Sequence, residues 1–437
     1  MNEQLLQFVW QQQLFDRTDL QTTDGEQIII EKIGMANSNA GPDFLDAHIR
    51  INSTLWVGNV EIHQKSSMWT AHKHHTQESY NSVILHVVAA HDKEAHTARG
   101  TKIPTLVLPI AGELLAASKQ LLEGSNTIMC CKHLPVIDTF LQNMLFDRLV
   151  VERFERKSIH VLALLAQNNN SWEETCYQML ARSFGAPVNS SAFEQLAQAL
   201  PLRILAKHSN SLMQLEALLF GQAGLLQPLP QRHAELYSAS PSNYFQTLQK
   251  EYSFLQKKYN LTPLESCVWK FSRMRPGNFP TIRIAQLAQF LLQSRSATSK
   301  ILQCSSIEEL EKLFSVQLHA FWSNHYSFTH TSPTRKKSLG ETTIHSIIIN
   351  TVVPFLFAYG TYHSNDDIKQ RALDFLESLP AEHNSIVTQW EECGIQCKSA
   401  FRSQALLQLY NEYCAQRKCL QCGIGQRILS RHIFIPK

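Results

Sequence analysis

The 437-residue chain is poor in the residues that turn a backbone. Gly and Pro number 16 each, together about 7% against a background of roughly 12%. So few breaks over such a length predict long helices. A dominant charge is also missing. Forty basic residues against 37 acidic ones leave +3, which excludes coating of nucleic acid by overall charge and confines any such binding to a local patch. Hydrophobic residues make up 44% and charged ones 18%, so the chain is not a disordered one. Ten cysteines are too few for a disulfide scaffold.

Long apolar runs are lacking too. Met1-Asn2-Glu3 has no basic start and Leu5–Phe15 is broken by four glutamines, unlike a secretory leader. The longest apolar stretch, Ile347–Tyr359, contains Asn350, Thr351 and Pro354 and is too short to cross a bilayer. These absences predict a soluble, cytoplasmic protein with no membrane partner and with cysteines mostly reduced or metal-bound.

What is present is unevenly spread. Eight of the 19 histidines lie between His48 and His96, and five of the ten cysteines between Cys393 and Cys422. The pattern predicts an α+β chain in two parts. Residues 1–135 read as a small α/β core: a helix around Leu5–Leu14, then strands at Gln27–Ile33, Leu45–Ile51, Thr54–His63, Ser82–Ala90 and Ile103–Pro109. Residues 136–437 read as a mostly helical domain ending in a Cys-rich motif at 393–425.

Within the core, Asp43 opens the second strand, and Glu61, His63 and Lys65 alternate along the third. Alternate strand residues share a face. A hairpin through Asn52-Ser53 therefore brings Asp43 beside Glu61. Paired carboxylates suit Mg²⁺ or Mn²⁺ with a phosphate, while His63 or Lys65 can orient a water or take its proton. The run Trp69-Thr-Ala-His72-Lys-His74-His75 follows directly; its imidazoles offer nitrogen ligands, shifting preference towards Mn²⁺, Fe²⁺ or Zn²⁺. His86, inside an apolar strand, reads as a core histidine.

Pro42-Asp43 followed by Glu61-x-His63-x-Lys65 resembles the PD-(D/E)XK nuclease superfamily, with His63 standing where that pattern has Lys. The resemblance implies a restriction-endonuclease-like core, a catalytic cation on Asp43 and Glu61, and an acidic contribution from the first helix, here Glu3. Over nearly the whole chain, Asn39-Ala-Gly-Pro-Asp-Phe44, Trp56-Val-Gly-Asn-Val-Glu-Ile-His63, Arg275-Pro-Gly-Asn-Phe-Pro280 and the terminal cysteines are similar to a bacterial family of unknown function. That second resemblance implies no activity.

Two further features carry chemistry. Cys414-x₄-Cys419-x₂-Cys422 can converge on zinc or an iron–sulfur cluster, with a fourth ligand from Cys130, Cys131, Cys393 or Cys397; Cys131 is taken first. From Ser266 to Ile307 no acidic residue occurs, against Lys270, Arg273, Arg275, Arg283, Arg295 and Lys300. Lys270, Arg273, Arg275 and Arg283 are the candidate contacts to a phosphate backbone, with interleaved aromatics that either stack on bases or pack in a core. The expected activity is a metal-dependent nuclease. The alternatives are a catalytically degenerate nucleic-acid-binding protein and a metal-binding hydrolase or scaffold acting on other substrates.

Overall fold

A computed structural model describes residues 2–123, 127–136, 138–227, 242–329 and 331–431. The fold is α+β, with a mixed sheet near the start and helices beyond it. The chain divides into two compact units: residues 1–147 with 385–396 and 406–437, and residues 148–384 with 397–405. Of the Cys-rich motif at 393–425, Cys393, Cys414, Cys419 and Cys422 fall in the first unit and Cys397 in the second.

In the first unit, helix α1 (Glu3–Gln11) is capped by Asn2 and buries Leu5, Leu6, Phe8, Val9 and Trp10. The strands are β1 (Ile28–Lys32), β2 (Met35–Ala36), β3 (Phe44–Ile51), β4 (Thr54–Lys65), β5 (Val83–Ala90) and β6 (Thr105–Val107). Their order is β1-β3-β4-β5-β6, with β2 also on β3. β1, β3 and β4 run antiparallel, whereas β4, β5 and β6 are parallel. The β3–β4 hairpin turns at Asn52-Ser53, as its sequence implied: Ile51 pairs with Thr54, and Asn52 takes the positive φ that a two-residue hairpin demands. A bulge in β3, with Asp46 also at positive φ, sets Phe44 opposite Val60 and so aligns Asp43 with Glu61.

Parallel pairing of β4 with β5 requires a crossover connection. Here it is residues 66–82, which hold a short helix, α2 (Met68–Ala71), and two 3₁₀ turns. Trp69, fully buried, anchors it beside Tyr80, Val83, Ala95 and Ile103, and its indole N–H donates to the His96 carbonyl at 2.9 Å. Ser66 and Ser67 donate to the Asp92 carboxylate, tying the crossover to the segment after β5. Gly58 permits β4 to approach β5: a Cβ there would lie 2.6 Å from the Ser82 carbonyl oxygen.

The second unit includes α5 (Trp172–Phe184), α6 (Ser190–Ala199), α8 (Leu212–Gln222), α9 (Asn243–Tyr259) and α10 (Pro280–Gln293), with α7 (Leu202–Ala206) between α6 and α8. Two further helices precede α5 in the chain, α3 (Gly112–Glu123) and α4 (Thr139–Gln167). Serines 171, 211 and 242 cap α5, α8 and α9 by accepting from main-chain N–H groups. Phe184, Phe193, Phe220 and Phe290 are fully buried. The continuous helix Glu341–Tyr362 is long and apolar enough to cross a membrane by length and composition, yet 78% of its apolar window is buried inside the protein.

Candidate metal centre

The crossover and β4 bring polar groups together in the interior of the first unit. Glu61, His63, His74 and His86 are all buried. Asp43 is half-buried at the mouth of β3, and His72 is exposed, so the cluster reaches solvent at His72. Lys73, between two of these histidines, holds φ +64. A non-glycine residue rarely adopts that left-handed conformation, and the reversal it makes turns both His72 and His74 towards β4.

The donor atoms converge. The imidazole nitrogens of His63, His72 and His74 lie within 4.8 Å of one another and can hold a metal ion. His63 Nε2 is 3.1 Å from His72 Nδ1, while Glu61 Oε1 lies 3.3 Å from His74 Nε2 and 3.6 Å from His63 Nε2. Ligands bound at about 2.0–2.2 Å in a tetrahedral shell stand roughly 3.3–3.6 Å apart; the contacts of Glu61 to His63 and His74 match that spacing, and the three imidazoles lie within 4.8 Å of one another. Both ring nitrogens of buried His74 lack a hydrogen-bond partner. An orphaned, buried imidazole costs stability unless something satisfies it.

The surroundings suit such an ion. His63 Nδ1 is 2.9 Å from His86 Nε2, an outer contact of the kind that orients a ligating imidazole. Burial and neighbouring imidazoles push His63 down to about 2 and His86 down to about 3, keeping both neutral, as metal ligation requires. Tyr80 stacks on His74 with ring centres 3.8 Å apart.

Two carboxylates share the rim. Glu61 Oε2 accepts from the Asp43 amide at 3.1 Å. Asp43 in turn accepts from the Ile62 amide at 2.9 Å and from Gln7 Nε2 at 2.9 Å. Burial and the charge of Glu61 raise Asp43 to about 7. Glu3 of α1 feels the charges of His72, Glu61 and His74, and burial raises its pKa.

The structure therefore gathers Glu3, Asp43, Glu61 and His63 from the sequence-predicted set. Lys65 is exposed; its charge acts on Asp92, and among the described residues no ion pair joins it to Asp43 or Glu61. Gln7 went unmarked in the sequence, although it follows Glu3 by one helical turn. His86, read there as a core histidine, is buried but paired with His63.

Two expectations are corrected. Cys131 forms a disulfide with Cys393, so its sulfur is not available beside Cys414, Cys419 and Cys422, and not every cysteine outside a metal site is reduced. Arg283 is buried rather than presented on a free face. Its guanidinium donates to Gln286 Oε1 at 3.0 Å and Asn278 Oδ1 at 2.8 Å. Lys270, Arg273 and Arg275 are exposed. Trp269 packs edge-on against Phe193 and donates to the Ala223 carbonyl, which makes it a core residue.

This mixed sheet with a buried imidazole–carboxylate cluster defines an α+β protein with a candidate metal centre. The chain belongs to a family of proteins of unknown function, DUF2851, whose profile matches residues 3–385. No curated protein and no solved structure matches it.

Proposed function

We propose that the protein is a metal-dependent nuclease whose cation is held by Glu61, His63, His72 and His74, with Asp43 and Glu3 completing the acidic rim. The observation that carries this reading is the convergence of Glu61 Oε1 with the imidazole nitrogens at 3.3–3.6 Å, beside Asp43. Its setting supports it as well: an antiparallel β1/β3/β4 meander joined to a parallel β5 resembles the core named from the sequence.

A divalent cation supplies Lewis acidity, lowering the pKa of water and offsetting charge on phosphoryl oxygens. The chain's own residues do the rest. Glu61 and the neutral imidazoles orient the ion, and His86 fixes the ring of His63. Asp43, whose carboxyl is raised by burial and the Glu61 charge before any cation is bound, is placed to take or return a proton beside the ion. The nitrogen-rich shell favours Mn²⁺ or a later metal over Mg²⁺. Lys270, Arg273 and Arg275 are the proposed phosphate contacts.

The test is incubation of the full chain with Mn²⁺, Mg²⁺ or Zn²⁺ on single- and double-stranded DNA and RNA. Metal-dependent cleavage that falls by about 100-fold or more in Glu61→Ala is expected. Identical background cleavage for wild type and variant on every substrate would overturn the assignment. A second reading, nucleic-acid binding without cleavage, is favoured by His63 in the usual lysine position and by the outward Lys65. It predicts salt-dependent binding with no turnover.

A further inference from the structure

The terminal cysteines have a partner that the histidine cluster does not use. Cys130, Cys414, Cys419 and Cys422 line one small cavity in the first unit, together with Leu121 and Met129. Cys130 and Cys422 are buried, and Cys130, Cys414 and Cys419 are outside disulfides. The neighbouring Cys131, the other sequence candidate, is committed to Cys393.

The backbone around the cavity is shaped to bring these thiols together. A π-helical turn, Tyr410–Cys414, delivers Cys414; such turns are frequent at functional sites. Arg417, at φ +54, reverses the chain between Cys414 and Cys419, and its side chain donates to the Leu122 carbonyl at 3.3 Å. The Cys419 thiol points at the Leu121 carbonyl, 3.8 Å away. Cys422 caps the helix Gly423–Ser430. Within that helix Gly425 is obligatory, because a Cβ there would lie 2.1 Å from the Cys419 carbonyl oxygen.

We propose that Cys130, Cys414, Cys419 and Cys422 hold a thiolate-ligated metal centre, iron–sulfur or zinc, that staples the chain's last helix to the segment after α3. Four soft sulfur donors in a largely apolar setting match the ligand sets of structural zinc and of iron–sulfur clusters. Among the described residues, the three histidines are the only group of three or more His, Cys, Asp or Glu in which one donor atom from each lies within 4.8 Å of the others. The thiols thus stand wider than the roughly 3.8 Å between thiolates sharing one zinc, a spacing that favours a cluster with bridging sulfide. The histidine centre, rich in nitrogen and carboxylate oxygen, is chemically distinct, so the two sites can be separated by their metals.

The experiment is metal and acid-labile sulfide analysis of the full chain prepared without oxygen, with visible absorption. Iron with sulfide identifies a cluster, and about one zinc per chain without sulfide identifies a single ion; either supports the centre if Cys130→Ser and Cys419→Ser lose it while Cys131→Ser retains it. A chain free of both metals overturns the proposal, as does loss in Cys131→Ser equal to that in Cys130→Ser. Should Cys130→Ser fail to fold, alkylation of the wild type decides. Labelling of these four thiols only after metal removal is expected, and identical labelling before and after removal contradicts the centre.

Discussion

The two units treat their buried imidazoles and acids differently. In the helical unit the buried Glu216, His208 and His345 find partners, although Arg283 Nε and Arg371 Nε do not. Glu216, almost fully buried, accepts from the Tyr244 hydroxyl at 2.6 Å and from Trp322 Nε1 at 3.2 Å. His208 sits between Gln214 Oε1 at 2.7 Å and the Tyr259 hydroxyl at 2.9 Å, and His345 faces Glu311 at 2.7 Å. In the sheet unit His74 has no hydrogen-bond partner on either nitrogen, and nitrogen faces nitrogen at His63 and His72. Closed networks fix a core, whereas an open cluster of lone pairs marks a place for a cation.

The sharpest way to break this contrast is to remove an open group. His74→Ala is expected to lower Mn²⁺ affinity by well over 100-fold, beyond what outer contacts cost, as read by equilibrium dialysis. Its apo-protein should lose stability only through the missing ring's packing on Tyr80, so the affinity loss is the larger effect. A large drop in apo stability with unchanged metal affinity would make His74 a core residue like His208.

The next effect belongs to the closed side. Burial raises Glu216 to about 7, above its value in an unfolded chain, so the native state holds the proton more tightly. Stability is full below about pH 4.5 and falls as pH rises through about 7, by about 3 kcal/mol in total. Glu216→Gln, which mimics the protonated acid, should lack that decline. Denaturant unfolding between pH 5 and 8 checks it, and parallel curves for the two proteins would refute the buried-acid account.

How far this contrast could be read from sequence differed by element. The strands were legible because alternation follows directly from half-burial, and the Asn52-Ser53 turn brought Asp43 to the end of β4; the bulge in β3 that sets it against Glu61 was not legible. The His72–His74 approach was not, since it depends on the left-handed Lys73 and on the anchoring of Trp69 under β5. Arg283 misled because α10 is buried on nearly every side. Its polar residues bond internally, Arg283 through its terminal nitrogens and Gln286 to the Lys337 carbonyl at 3.0 Å, and no periodicity reports such bonds. Cys130 and Cys131 are neighbours, so only the three-dimensional path of the chain could decide which one meets the terminal thiols.

Smaller effects sharpen the comparison further. His86→Leu removes only an outer contact of His63 and should weaken metal binding by about 10–100-fold; no change in affinity would return His86 to the role of a filler in β5. Arg283→Ala should destabilise the protein by about 1–3 kcal/mol. Arg273→Ala and Arg275→Ala should each stay within about 0.5 kcal/mol of the wild type. If the exposed pair grips phosphates, each of those two substitutions lowers the salt slope of nucleic-acid binding by about 1.

The account rests on the open cluster being a metal centre, and Mn²⁺ binding to the full chain tests it most directly, because that hard ion prefers nitrogen and oxygen donors over the thiols. Wild type should bind about one Mn²⁺ per chain with low-field broadening of its electron spin resonance by ligand nitrogens, and Glu61→Gln combined with His72→Ala should bind none at the same concentration. Equal binding by the two proteins, or none by either, contradicts the assignment.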